Sequence, residues 1–242
     1  MRALLLSDVH ADGPACPRQA ALLAFLARED ADVLVLGGDI FQRWWHRDAA
    51  IFPAYAPVVD ALRRFPRVLA VGGNHDFRFP AWLRDHGGGE GGATYDFAWE
   101  GRRVRAVHGD VVDRSVGYRS LTGVLRSRVL ERALDGVPMA RLWDRVGRLV
   151  HDPRGGGNDA LLDAQRVWAQ ETLGGGDVDV LVSGHAHVPA LERVGSGVWL
   201  NTGDFVSHFS YGEFVGSEAR LWTVSPAGAP SLRACMVLPP RP

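Results

Sequence analysis

Unbroken apolar runs alternate with amphipathic stretches through the first third of the chain. Ala3-Leu4-Leu5-Leu6, Val33-Leu34-Val35-Leu36 and Val68-Leu69-Ala70-Val71 contain no polar residue, the pattern of strands covered on both faces. Gln19 to Arg28 and about Ala54 to Phe65 place apolar residues at helical spacing between those runs, which predicts βαβ units on a parallel sheet. Beyond a glycine-rich surface loop, Gly87 to Gly92, alternation in Thr94-Tyr95-Asp96-Phe97-Ala98-Trp99, the turn signal Glu100-Gly101 and Val104 to Val107 predict a hairpin. The sheets are therefore expected to be mixed.

From Val111 to about Leu173 the spacing is helical, through Leu121, Leu125, Val129 and Leu130, then Leu142, Val146, Leu149 and Val150. Pro153-Arg154-Gly155-Gly156-Gly157 reads as an exposed loop, followed by a helix capped near Asn158 that runs through Trp168 toward Leu173. This stretch is expected to be an inserted helical lid. Strands return at Val178 to Val182 and Val198-Trp199-Leu200, and Arg220 to Val224 with Cys235 to Leu238 complete a second sheet. No internal repeat is evident, so one domain over 1–242 with a lid at about 111–173 is the economical organisation.

The polar motifs fall where apolar runs stop. Asp8-Val9-His10, Gly38-Asp39, Gly73-Asn74-His75-Asp76, His108-Gly109-Asp110 and Gly184-His185-Ala186-His187 each follow a predicted strand. In open α/β sheets the carboxyl ends of strands are where loops are free to carry ligand-binding groups. Asp8 and His10 are two apart, so on extended backbone they face one side and can grip one cation together. Asp39 has two carboxylate oxygens and is the natural bridge between two cations. Asn74 adds an amide oxygen, and His108, His185 and His187 add imidazoles. Such an oxygen and nitrogen set without thiolate suits Mn, Fe, Zn or Co, with Mn²⁺ the first expectation for two divalent cations. Paired cations of this kind commonly serve the hydrolysis of phosphate esters.

Composition narrows the setting. With 46% hydrophobic and 23% charged residues, the 242-residue chain can bury a substantial core. A formal net charge of −1 gives no general electrostatic reason to bind nucleic acid, and no nucleic-acid partner is expected. The basic residues are all Arg, which favours planar phosphate recognition, although a GC-rich coding genome is a blander cause. Cys16 and Cys235 lie far apart without metal-binding spacing, so neither a zinc ribbon nor a disulfide framework is indicated, and a reducing cytoplasm fits. Ala3 to Leu6 is too short for a signal segment, and nothing approaches the roughly 20 apolar residues a spanning helix needs.

The order DxH, GD, GNHD, HGD and GHxH resembles the calcineurin-like metallophosphoesterase superfamily over roughly Leu4 to Asp204. The resemblance implies a four-layer αββα sandwich of two mixed β-sheets flanked by helices. It assigns Asp8, His10, Asp39 and His187 to one metal and Asp39, Asn74, His108 and His185 to the other. It also makes His75 the group that protonates or stabilises the leaving oxygen, with Asp76 orienting it. Asp76 and Asp110 are expected to fix ligand imidazoles.

The Gly38-Asp39-Ile40-Phe41 stretch followed by Trp44, and the Arg-rich helical insertion after Gly117-Tyr118, resemble UDP-2,3-diacylglucosamine pyrophosphohydrolases of lipid A biosynthesis. That resemblance implies a small-molecule, nucleotide-linked glycolipid substrate, an acyl-binding lid and peripheral contact with the inner membrane, with no obligate protein partner. Asn74, His75, Tyr118, Arg78 and Arg119 are the expected substrate contacts. Two departures stand out: many of those enzymes carry Arg where this chain has His75, and an acidic residue where it has Gln42. A broad or cyclic-nucleotide phosphodiesterase, a protein phosphatase and a noncatalytic scaffold therefore stay open. Trp44-Trp45 is expected to pack at the lid base, and Asn201 with Asp204 to order the loop after its strand. His46, His86 and His151 read as ordinary surface or core histidines, and His208 as a pocket neighbour.

Overall fold

The computed structural model describes residues 1–44, 52–113, 159–225 and 228–240. The three apolar runs form neighbouring strands of a seven-stranded sheet. Its first strands are β1 (Arg2–Leu6), β2 (Val33–Leu36), β3 (Arg67–Val71) and β4 (Glu90–Gly92), all parallel. On the other side β10 (Ser210–Val215) runs antiparallel to β1, and β11 (Glu218–Val224) and β12 (Pro230–Val237) continue antiparallel to the edge. The order is β12-β11-β10-β1-β2-β3-β4, so β1 lies at the centre.

The second sheet has five strands in the order β5-β6-β7-β9-β8. The hairpin of β5 (Thr94–Trp99) and β6 (Arg102–Val107) leads into β7 (Val180–Ser183) and β9 (Gly197–Asn201), both parallel to β6, with β8 (Ala190–Val194) antiparallel at the edge. Between the sheets, Leu5, Val35, Leu69 and Val71 meet Phe97, Trp99, Val104, Val180, Val182, Val198 and Leu200 in one core. The opposite faces of the same first-sheet strands, Leu4, Leu6, Leu34, Leu36 and Val68, pack on α1 (Pro17–Leu26), α2 (Phe52–Leu62) and α3 (Phe79–Asp85). Residues at alternate positions of a strand point to opposite faces, which is why both had to be apolar. The outer face of the second sheet, Leu181 and Trp199, is covered by Leu162, Ala169 and Leu173 of α4 (Asp159–Gly174). The architecture is thus the expected four-layer αββα sandwich.

Details differ from the sequence expectation. Part of the expected glycine loop, Glu90–Gly92, is the edge strand β4, paired with Leu69 to Val71. Side-chain-free Gly91 can lie against Ala70, whose carbonyl a Cβ would overlap. Strands β8 and β10 and helix α3 were not foreseen; β11 and β12, expected to complete the second sheet, instead extend the first through β10, and β12 starts at Pro230, not Cys235. The lid expectation rests mainly on residues 114–158, which with Trp45 and His46 lie outside the described residues. Its last helix, α4, packs on the second sheet. Trp44 is buried in an aromatic cluster with Phe41, Tyr55, Phe79 and Trp82. Among the described residues no helix is long and apolar enough to cross a membrane.

Candidate metal centre

The loops after β1 and β2 are zipped together by backbone bonds before any side chain is considered. Asp8 N donates to Gly38 O at 3.0 Å, and Val9 N and His10 N both donate to Asp39 O at 2.9 Å. On the facing sheet Gly184 N donates to His108 O at 2.9 Å, joining the loops after β6 and β7. Two glycines permit the final approach: a Cβ on Gly73 would overlap the Asp39 carboxylate, and one on Gly184 would overlap Asp8 and Ser7. The polar motifs therefore converge because their loops touch.

Within that convergence, Asp8, His10, Asp39, His185 and His187 all hold left-handed backbone, with φ of 53°, 51°, 55°, 66° and 58°. Among the described residues only Glu100 and Phe209 otherwise do so without being glycine. Such backbone costs on the order of 1–3 kcal/mol per residue and persists where surrounding structure enforces it, typically at functional sites. Here the loop zipper enforces it.

The side chains form one connected cluster. His187 Nε2 lies 3.2 Å from Asp8 Oδ1 and 3.4 Å from His10 Nε2. Asp39 Oδ2 lies 3.9 Å from His10 Nε2 and 3.4 Å from His108 Nε2, and the latter is 3.2 Å from Asn74 Oδ1. His185 N donates to Asp8 Oδ2 at 2.9 Å, and its ring meets that of His108 edge-on at 4.9 Å. All seven residues singled out as metal ligands are brought together.

Three overlapping triads have metal-ligand reach: Asp8 with His10 and His187, His10 with Asp39 and His75, and Asp8 with Asp39 and His108. Asp8 Oδ1 is buried and makes no formed hydrogen bond, with His187 Nε2 in ion-pair contact 3.2 Å away. A buried carboxylate oxygen left that way is costly unless a cation meets it, so the donor set fits divalent metal. Protonation responds to the same demand. Burial works against ionising Asp8, yet the charge of His187 holds its carboxyl down at about 2. Burial likewise opposes ionisation of Asp39, but His108 and His75 hold it well below the ordinary range. Against the penalty of burial, Asp39 raises His108 well above its usual value, and Asp8 and Asp204 raise His187 to about 10. His10, buried beside His75, is pushed down to about 3.

The surrounding residues hold the cluster. His108 Nδ1 donates to Gly37 O at 2.9 Å. Asp76, expected to orient His75, instead accepts from the backbone N–H groups of Asp39, Ile40, Phe41 and Gly73, at 2.9, 2.7, 3.3 and 2.9 Å. It braces the Asp39 loop, and burial beside Asp39 raises its carboxyl to about 6. His75 Nδ1 lies 3.1 Å from Gln42 O. The Arg78 guanidinium sits 5.3 Å from the Phe77 ring centre, while Tyr118 and Arg119 lie outside the described residues. Sequence reasoning missed Asp113, 3.7 Å from His185 Nε2, and gave Asp204 only the ordering of its loop, which it does, whereas its other oxygen also lies 3.3 Å from His187 Nδ1. Gly203-Asp204 repeats the Gly-Asp pattern of Gly38-Asp39 and could have flagged that contact.

Residues 1–189 match the calcineurin-like phosphoesterase family. The chain belongs to that family. As a member it is a metal-dependent phosphoester hydrolase. It is 28% identical over 202 residues to the UDP-2,3-diacylglucosamine hydrolase of Ectopseudomonas mendocina (strain ymp), covering 79% of this chain and 83% of that one. With the enzyme of the same name from Yersinia pestis bv. Antiqua (strain Angola) it shares 23% over 209 residues, 80% of this chain and 85% of that one. Among solved structures, Vacuolar Protein Sorting 29 of Cryptosporidium parvum matches with a TM-score of 0.53 at 14% identity, covering 98% and 97% of the two chains. That likeness concerns the calcineurin-like fold.

Proposed function

We propose that this phosphoesterase cleaves the pyrophosphate of UDP-2,3-diacylglucosamine, yielding UMP and diacylglucosamine 1-phosphate. The observation that carries the reading is the connected Asp, His and Asn cluster in a chain whose relatives are named for that substrate across about four-fifths of its length. Asp8, His10, Asp39 and His187 would hold one divalent cation and Asp39, Asn74, His108 and His185 the other, with Mn²⁺ preferred. Bound cations supply acidity to water and positive charge for the phosphate oxygens.

The chain's own residues do the rest. Asp39 accepts the His75 backbone N–H through Oδ1 at 2.8 Å, which fixes His75 beside the cluster. A protonated His75 donates Nδ1–H to Gln42 O and has Nε2–H to give to the departing oxygen. Asn74 and Arg78 orient the phosphate, joined by Tyr118 and Arg119 from a lid that precedes α4 in this single domain. The enzyme would work in the cytoplasm, at the inner membrane surface where its lipid substrate lies.

His75 favours a second reading, a broad-specificity phosphodiesterase, because the lipid enzymes often carry Arg there. The deciding experiment incubates manganese-loaded protein with UDP-2,3-diacylglucosamine and assays UMP. Release of UMP is expected. No UMP, alongside brisk hydrolysis of a simple aryl phosphodiester, would overturn the proposal in favour of the second reading.

A further inference from the structure

We infer that Asp204 is a positioning residue for the metal centre, holding His187 so that Nε2 faces Asp8 and Nδ1 carries the proton. The inference rests on the reading of Asp8, His10, Asp39 and His187 as cation ligands. An imidazole can offer a lone pair from only one nitrogen when neutral, and the partner of the other nitrogen decides which. His187 Nε2 is the atom inside the cluster, 3.2 Å from Asp8 Oδ1. Its buried Nδ1 lies on the far side of the ring, 3.3 Å from Asp204 Oδ2, an ion-pair contact and not a formed hydrogen bond.

Asp204 is built for that task by a division between its two oxygens. The side chain is fully buried, and Oδ1 accepts the backbone N–H groups of Val206, Ser207 and His208 at 3.2, 2.8 and 2.7 Å. Three amide donors fix the carboxylate and stabilise its charge, leaving Oδ2 for imidazoles. His208, a half-buried ring outside the ligand set, brings its Nδ1 to within 3.4 Å of the same Oδ2 and closes it from another side. The contrast with His108 is informative: the far nitrogen of that ring meets the neutral carbonyl of Gly37. Within the cluster, His187 is oriented by a charge.

The division of oxygens also supplies a discriminating substitution. In Asp204→Asn the side-chain oxygen must stay with the three backbone donors, so the NH₂ turns toward both imidazoles. His187 Nδ1 then meets a donor, and its proton is driven to Nε2, the atom needed for metal. The cation held by Asp39, Asn74, His108 and His185 does not depend on that proton.

The test titrates Mn²⁺ into metal-free wild-type and Asp204→Asn protein, counting free ion by electron paramagnetic resonance. A second measurement reads the His187 tautomer by ¹⁵N NMR in zinc-loaded wild-type protein. Two sites are expected in the wild type, and one of the two weakened about 10–100-fold in the variant; the NMR should find the proton on Nδ1. Two sites of unchanged affinity in the variant overturn the inference alone, while a wild type that binds no Mn²⁺ overturns the ligand reading itself. Should Asp204→Asn fail to fold, the wild-type spectrum decides: an unprotonated Nδ1 overturns the inference.

Discussion

The backbone N–H of His75 donates to Oδ1 of Asp39 at 2.8 Å, while Oδ2 of the same carboxylate faces His108 and His10. One side chain thus ties the residue proposed to protonate the leaving oxygen to the residues proposed to hold metal. Asp39→Asn should remove the shared anionic oxygen from both cation positions. Metal analysis of the purified variant is expected to find both depleted, with phosphodiester hydrolysis at background. Full metal content would contradict the bridging role.

His75→Ala separates chemistry from binding. The His75 backbone N–H survives the substitution, so Asp39 keeps its donor. Turnover should fall by roughly 10²–10⁴-fold, the usual contribution of a positioned acid, while metal content stays that of the wild type. An empty site in this variant would reassign His75 as a ligand.

Asp76→Ala should behave in the opposite way. Its carboxylate serves four backbone donors around Asp39, and deleting it leaves them buried without an acceptor. Loss of metal and a lowered unfolding temperature are expected together. A variant with wild-type metal affinity and only a slower reaction would restore the role of orienting His75.

Gly184→Ala tests the close approach of the two sheets. The added methyl would overlap Asp8 Oδ2 and Ser7 Oγ, at an overpacking cost of about 1–3 kcal/mol. Calorimetry should find the midpoint lowered by about 2–4 °C per kcal/mol for a chain of this size, and the Asp8 cation weakened. An unchanged midpoint would mean that the loops separate freely.

Proton linkage gives a test without mutation. His187 is raised from 6.5 to about 10 in the metal-free fold, so its stabilisation is complete below about pH 6.5 and is lost as pH rises through 10. Asp8, lowered from 3.8 to about 2, contributes above 3.8 and loses that contribution as pH falls through 2. Chelator-treated protein should therefore be destabilised steadily between pH 6.5 and 10. Mn²⁺ requires the neutral imidazole, so binding at pH 7.5 should release protons. Calorimetric titration in two buffers of different ionisation enthalpy measures them, and equal heats in both would refute the linkage.

Much of the site was legible because its supports are. Leu4, Leu34 and Leu69 belong to strands apolar on both faces, and a polar group right after such a run stands at a sheet end. The unforeseen elements lack that signature. β10 includes Gly212 and the buried Glu213, whose charge is answered by Arg2, Arg220 and Trp222 from elsewhere in the chain. β4 is two-thirds glycine and exists through its pairing with β3. Asp204 was assigned only to its own loop because the partners that define it, His187 and His208, are joined to it by the fold.

The central position of β1 has a consequence for how the protein is made. The strand that leads into Asp8 and His10 is flanked by β2 on one side and by β10, some two hundred residues later in the chain, on the other. During translation one flank of that strand stays unpaired until β10 has been made, so the pocket beside it is framed on both sides only late in folding.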